Sequence, residues 1–122
     1  MSLAILAGVL MMLMTPIMQN LIIPGWPGAI ADTYVSTSAR TFNSPATYGQ
    51  SLIADLIAEG ITGVMGYAFE PYLAGVSYPD VLFDKYTNGY VLADSFFSAY
   101  YGIKSVGVIV GDPKTAIRKT YP

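Results

Sequence analysis

Residues 51–72, SLIADLIAEGITGVMGYAFEPY, decide the fold of this chain. Their first half carries four apolar residues at helical spacing, Leu52, Ile53, Leu56 and Ile57. Gly60 follows at the place where a helix commonly ends, because glycine adopts the left-handed backbone of a C-cap without strain. The second half is a continuous apolar run, as expected of a strand that is covered on both faces. The stretch therefore predicts a helix followed directly by a buried strand.

Further helices and strands are predicted on both sides of this unit. The strands are Ala29–Ser36, Gly63–Phe69 and Val106–Val110, and the additional helices are Asp80–Tyr86, which Pro79 opens, and residues 91–102. Because strands alternate with helices, we expect an α/β fold. We expect right-handed crossovers and a small, mainly parallel, three-layer sheet with helices on both faces. Residues 24–117 form this α/β module, after an apolar N-terminal helix and connector (1–23) and before a polar tail (118–122).

The composition predicts a large apolar face. Of the 122 residues, 53% are hydrophobic and only 11% are charged, whereas about 25% charged residues is usual. We expect another subunit, a further part of a longer chain or a membrane to cover this face. The net charge is -2 and the six basic residues are scattered, which argues against a nucleic-acid partner.

Histidine and cysteine are both absent from the sequence. Their absence excludes cysteine nucleophiles, histidine general bases, Ser-His-Asp triads and zinc sites built from thiolates or imidazoles. Carboxylate, hydroxyl, lysine and tyrosine chemistry remains. The residues predict neither a cofactor nor a metal site.

The N-terminal segment contains a continuous apolar run, Leu3–Met14, which Pro16 is expected to end. Even when it is extended to Met18, a helix here is shorter than the ~30 Å hydrocarbon core of a bilayer. The first basic residue is Arg40, so the segment lacks the basic start of a signal peptide. A buried or interface helix is favoured, while a membrane-associated segment and a secretion remnant stay open.

Six residues are candidates for a site, and each has a structural alternative. Ser36 and Ser38 lie in a hydroxyl-rich loop after the first strand, either as weak nucleophile candidates or as an ordinary strand end. Glu70 and Asp112 follow predicted parallel strands, where they would be neighbours able to hold a cation or to act in acid–base catalysis. The favoured alternative is structural: Asp112 caps or forms an Asx-turn before Pro113, and Glu70 pairs with an arginine or with backbone amides. Tyr67 and Tyr72 belong to a set of tyrosines that suits a sugar- or peptide-binding surface, or, as we prefer, an interface.

Three segments together resemble a known family: SLIADLIAEGITGVMGYAFEPY, VLADSFFSAYYG and VGVIVGDPKTAI. They resemble the C-terminal half of caspase-like domains of the gingipain type. They are still more similar to an uncharacterised bacterial family related to those peptidases, which has PGAIA…VSTSGRTF and GYVYEPY segments. The resemblance covers residues 24–117, and the GDP ending is its most specific part.

The resemblance implies a caspase-like half-sheet and an extracellular or cell-envelope location. In such peptidases the catalytic cysteine ends the strand that matches Ala29–Ser36, and a histidine ends the preceding strand. This chain has neither residue type, so the catalytic activity of the family is not carried over. Hydroxyl side chains occupy the cysteine region.

Three functions follow as hypotheses. The leading one is a non-catalytic caspase-like module that acts by assembly or binding, as a homo-oligomer or with a partner chain that completes the open edges of the sheet. The second is a hydrolase that uses Ser36 or Ser38 with the strand-end carboxylates of Glu70 and Asp112. The third is a membrane- or filament-associated surface protein that attaches through residues 3–14.

Overall fold

A computed structural model describes residues 27–43, 52–101 and 106–117 of the chain. The strands are β1 (Ile30–Asp32), β2 (Gly63–Tyr67) and β3 (Gly107–Gly111), and the helices are α1 (Ile53–Ala58), α2 (Pro79–Thr87) and α3 (Leu92–Ala99), with a 3-10 turn at Leu73–Gly75. The apolar N-terminal helix and the polar tail that the sequence predicts lie outside the described residues. None of the described helices is long and apolar enough to cross a membrane.

Within the described residues, the sheet has three strands in the order β1-β2-β3. β1 pairs with β2 in parallel, but β2 pairs with β3 in antiparallel orientation. The expectation of a mainly parallel sheet is therefore wrong for the third strand.

The number of helices between the strands explains this difference. Among the described residues, one helix, α1, lies between β1 and β2 and returns the chain to the end of the sheet where β1 began, so β2 starts parallel to β1. Two described helices, α2 and α3, lie between β2 and β3. The first leads the chain back toward the end where β2 began, and the second leads it again to the end where β2 finished. The backbone N–H of Tyr78, just before α2, donates to the carbonyl of Ala99, the last residue of α3, at 2.8 Å. The chain thus comes back to the end where β2 finished, and β3 must run the opposite way.

The side chains of the sheet divide into two cores because successive residues of a strand point to opposite faces. One core joins sheet residues to α2 and α3: Ile30, Met65, Tyr67, Leu82, Tyr86, Leu92, Phe96 and Ala99. The other lies on the α1 side: Ala31, Ala39, Ile53 and Val64. We call these sides the α2–α3 face and the α1 face. Described helices therefore pack on both faces, and the prediction of an α/β fold with a small sheet and helices is confirmed.

Gly60 ends α1 as the sequence predicts. Its φ is +91°, in the left-handed region that favours glycine. Its N–H donates to the carbonyl of Ile57 at 3.0 Å, and the N–H of Ile61 donates to the carbonyl of Leu56 at 3.1 Å. These two bonds form a Schellman motif, which satisfies carbonyls at the helix end and turns the chain into β2.

A second glycine, Gly63, allows α3 to pack closely on the sheet. A Cβ atom built on Gly63 would lie 2.2 Å from Leu92 Cδ1. Leu92, Phe96 and Ala99, which recur at helical spacing, belong to the buried side of α3, and Pro79 is the first residue of α2, as predicted.

β1 covers only Ile30–Asp32 of the longer strand that was predicted. The side chains of two residues bind nearby backbone groups instead of leaving those groups to a strand ladder. Asp32 Oδ1 accepts the N–H of Thr33 at 2.9 Å, and Thr33 Oγ1 accepts the N–H of Val35 at 3.1 Å. A turn follows, in which the N–H of Ser38 donates to the carbonyl of Val35 at 3.2 Å. Such local side-chain bonds compete with strand pairing, and they end β1 early.

Candidate functional site

A buried polar network lies at the carboxyl ends of the two parallel strands. Its members are Asp32, Tyr67 and Ser77, all of which are buried. The hydroxyl of Ser77 donates to Asp32 Oδ2, and the hydroxyl of Tyr67 donates to Ser77 Oγ at 3.2 Å. The N–H of Ser77 in turn donates to the hydroxyl oxygen of Tyr67 at 2.8 Å. The three side chains therefore form a chain of hydrogen bonds that ends on a carboxylate.

The register of the parallel pair positions this network. Asp32, the last residue of β1, lies opposite Met65 of β2. Tyr67 is two residues beyond Met65 and therefore points to the same side, the α2–α3 face. Ser77 enters from the segment that precedes α2. Ligands of open α/β sheets bind at the carboxyl ends of parallel strands. The network therefore lies where a ligand site is expected in this type of sheet.

Burial changes the acid–base properties of the network. It raises the pKa of Asp32 from the ordinary 3.8 to about 6, although the hydrogen bonds from Ser77 and from the N–H of Thr33 act in the opposite direction. Burial also raises the pKa of Tyr67. A carboxyl group that titrates near neutral pH is characteristic of functional sites, and it also occurs in structural networks.

Tyr67 is the one predicted binding residue that belongs to the network. It is fully buried, so it does not form part of an exposed aromatic surface. Tyr72 is 76% exposed and has a φ of +53°. Glu70, also exposed, accepts the N–H of Tyr72 on Oε1 at 3.2 Å. The structure thus keeps Glu70 and Tyr72 together in the loop after β2, outside the network.

Neither candidate serine is among the hydrogen-bond donors to the Asp32 carboxylate, which accepts from Thr33 and Ser77. Ser38 is fully buried on the α1 face, where its hydroxyl accepts the N–H of Tyr67 at 3.3 Å and its carbonyl accepts the N–H of Ile53 at 3.0 Å. These bonds fasten the loop after β1 to β2 and to α1. Ser36 is half-buried in the preceding turn. Within the described ranges, the serine that donates to a carboxylate is neither of these but Ser77.

Glu70 and Asp112 lie at opposite ends of the sheet, so the expectation that they are neighbours is wrong. Since β3 is antiparallel, its last residue Gly111 lies opposite Gly63, the first residue of β2. Asp112 follows there and accepts the N–H of Lys114 on Oδ1 at 2.9 Å, as in an Asx-turn. In the part of the chain that the structure describes, no three acidic side chains come together in a way that could hold a metal ion.

The sequence analysis missed Asp32 and Ser77. Asp32 could have been recognised from the sequence, because a carboxylate inside an apolar strand must find partners when it is buried. Ser77 could not, since 45 residues separate it from Asp32 and only the folding of the loop after β2 brings the two side chains together.

Exposed tyrosines surround the same end of the sheet. Tyr34 follows β1, Tyr78 precedes α2 and Tyr101 follows α3. The rings of Tyr78 and Tyr101 pack edge to face, with centroids 5.6 Å apart. We call Tyr34, Tyr78 and Tyr101 the tyrosine face.

These features define a mixed α/β protein with a small three-stranded sheet, helices on both faces and a buried carboxylate network at one end. The chain matches no family model, no curated protein and no solved structure.

Proposed function

We propose that this chain is a non-catalytic, caspase-like α/β module that acts by assembly, with the outer edge of β3 pairing with β3 of a second copy. The observation that carries the proposal is that β3 is the outermost strand of the sheet and that its outer edge has no neighbouring strand among the described residues. An unprotected edge strand is a template for pairing with another chain.

The backbone of β3 offers hydrogen-bonding groups at this edge. The N–H of Ala68 donates to the carbonyl of Val106 at 2.8 Å, which makes them a hydrogen-bonded pair. Bonded and non-bonded pairs alternate along an antiparallel ladder. The pair of Met65 and Ile109 is therefore non-bonded, and the N–H and carbonyl of Ile109 point outward.

The side chains of β3 also suit an interface. Val108, Ile109 and Val110 are only half-buried, although an apolar strand in a three-layer sheet is normally covered on both faces. The strand carries neither a charge nor a proline, the devices that usually protect an edge. At the start of β3 the N–H of Gly107 donates to the hydroxyl of Tyr100 at 3.1 Å, so Ile109 is the natural centre of a two-fold pairing. Two copies would form one six-stranded sheet.

The non-catalytic part of the proposal is supported by the residues. The chain contains no histidine or cysteine. The hydroxyl of Ser38, in the region that holds the catalytic cysteine of the peptidases that this chain resembles, accepts a backbone N–H and is fully buried. A serine without a base is a poor nucleophile at neutral pH. The segments that carry the resemblance fall on α1 and β2, on α3 and on β3.

Replacing Ile109 with proline tests the proposal, because proline removes the outward N–H without removing a bond to β2. Ile109→Ala is the matched control, since it loses similar packing but keeps the N–H. Association is measured by sedimentation velocity over a wide micromolar range, with circular dichroism to verify the fold. We expect the wild-type chain and Ile109→Ala to associate and Ile109→Pro to sediment as a monomer.

A second measurement keeps the test decisive if the proline variant folds poorly. Hydrogen exchange of the Ile109 amide in the wild-type chain should slow as the protein concentration rises, because pairing would protect this N–H. A wild-type chain that stays monomeric throughout, or an Ile109 amide whose exchange does not depend on concentration, would rule out assembly through this edge.

A further inference from the structure

The tyrosine face presents aromatic rings at the surface. Tyr34 is 47% exposed, Tyr78 is 51% exposed and Tyr101 is 70% exposed. The face is at the end of the sheet where β3 begins, whereas the edge proposed for assembly runs along the side of β3. It is therefore a separate surface, and the assembly proposal does not account for it.

Two carboxylates accompany these rings. Asp80 is exposed in the first turn of α2, two residues after Tyr78. Asp32 lies beneath the surface at the end of β1. Burial raises the pKa of Tyr34, and the negative charges of Asp32 and Asp80 raise it further. The negative charges of both carboxylates therefore act on Tyr34, and the face combines aromatic surface with negative charge.

The charges elsewhere favour a positive partner as well. The full chain has eight acidic and six basic side chains and a net charge of -2, and three of the basic ones, Arg40, Lys85 and Lys114, lie in the described ranges. Arg40 has interactions of its own and follows Ala39, which packs on the α1 face. Lys85 already lies over the ring of Tyr90, 4.5 Å from its centroid.

We propose that the tyrosine face binds an arginine or lysine side chain presented by a protein partner. A cation is attracted to the face of a tyrosine ring, and a nearby carboxylate adds a charge-assisted hydrogen bond. Arginine suits the surface particularly well, because its planar guanidinium can stack on a ring while it bonds to Asp80. A nucleic acid does not fit, since its phosphates would be repelled by the same carboxylates.

The affinity of this binding should depend on the protonation of Asp32. A cation bound near Asp32 favours the ionised carboxylate, so the affinity should rise as the pH increases through about 6. The titratable groups that interact with this carboxylate are Tyr34 and Tyr67; Asp80 acts on Tyr34, and Tyr100 acts on Tyr67. Burial raises the pKa values of Tyr34 and Tyr67 above their ordinary value.

The experiment uses a short capped peptide that contains two arginines, and a matched peptide in which citrulline replaces both. Citrulline keeps the shape of arginine and removes the charge. Binding to the full chain is measured by calorimetric titration and by the NMR signals of the tyrosine rings, with Tyr90 as a distant reference. We expect the arginine peptide to shift the signals of Tyr34, Tyr78 and Tyr101, and the citrulline peptide to bind more weakly.

Two variants locate the site. Asp80→Asn should weaken binding of the arginine peptide about two- to fivefold, as for an exposed ion pair. Asp94→Asn, which removes an exposed carboxylate from the first turn of α3, should leave it unchanged. Equal binding of the two peptides, or equal effects of the two variants, would overturn the proposal. Ile109→Pro should bind the peptide as the wild-type chain does, so a failure of assembly and a failure of cation binding are distinguishable.

Discussion

The buried carboxylate of Asp32 should cost the protein stability at neutral pH. Its pKa is about 6 in the folded protein, against 3.8 as the ordinary value. One pH unit of difference between the two states corresponds to about 1.4 kcal/mol, so the difference at Asp32 corresponds to about 3 kcal/mol. The cause is burial of the ionised group, which the hydrogen bonds from Ser77 and Thr33 offset only in part.

The sign follows from linkage between protonation and folding. Because the folded protein holds this proton more tightly than the unfolded chain, protonation of Asp32 stabilises the fold below about pH 4. That contribution is lost as the pH rises from 3.8 to about 6. Above this window the ionised carboxylate is present in both states, and the full cost of burying it remains.

Replacing Asp32 with asparagine removes the charge and keeps the shape. The amide oxygen can still accept the N–H of Thr33, and the amide nitrogen can donate to Ser77 Oγ after the hydroxyl rotates. We expect Asp32→Asn to gain up to about 3 kcal/mol in free energy of unfolding, relative to the wild-type chain, between pH 4 and pH 7.5. The gain should develop mainly between pH 4 and pH 6.

Urea unfolding of both proteins at a series of pH values, followed by far-UV circular dichroism, measures this difference. Comparing variant with wild type cancels the titration of the other carboxylates. Asp94→Asn, which removes an exposed carboxylate, shows how much of any trend comes from a surface charge alone. A difference between Asp32→Asn and wild type that is constant from pH 4 to pH 7.5 would refute the argument, and so would one that shifts in favour of the wild-type chain.

Two further substitutions test the packing around the network and the sheet. Tyr67→Phe leaves the buried N–H of Ser77 without its acceptor and should lower the free energy of unfolding by about 1–3 kcal/mol. Tyr90→Phe, which changes an exposed ring, is the control. Equal effects of the two substitutions in urea unfolding would contradict the prediction. Gly63→Ala places a Cβ 2.2 Å from Leu92 Cδ1 and should cost about 1–3 kcal/mol. Adding Leu92→Ala should remove part of that cost in a double-mutant cycle, whereas strictly additive effects would show that the two side chains do not clash.

Local features of the sequence were sufficient to predict most of the helices and strands. The end of α1 at Gly60 and the start of α2 at Pro79 were predictable because each depends only on the backbone conformation of that residue and its neighbours. The buried side of α3 follows from the spacing of Leu92 and Phe96. The end of β1 was predicted wrongly, although its cause is also local: the side chains of Asp32 and Thr33 bind the backbone just beyond them.

The direction of β3 and the composition of the network depend on the tertiary structure. β3 is antiparallel because α2 and α3 pack side by side and return the chain to the end of β2, which the apolar pattern of β3 itself does not encode. That reversal separates Asp112 from Glu70. Similarly, Asp32 is visible in the sequence as a charge in an apolar strand, but its partner Ser77 is 45 residues away.

The sequence by itself determined which segments form helices and strands and which catalytic groups are missing, because these depend on neighbouring residues and on composition. Only the tertiary structure decided which polar groups meet, because burial and the path of the chain bring them together.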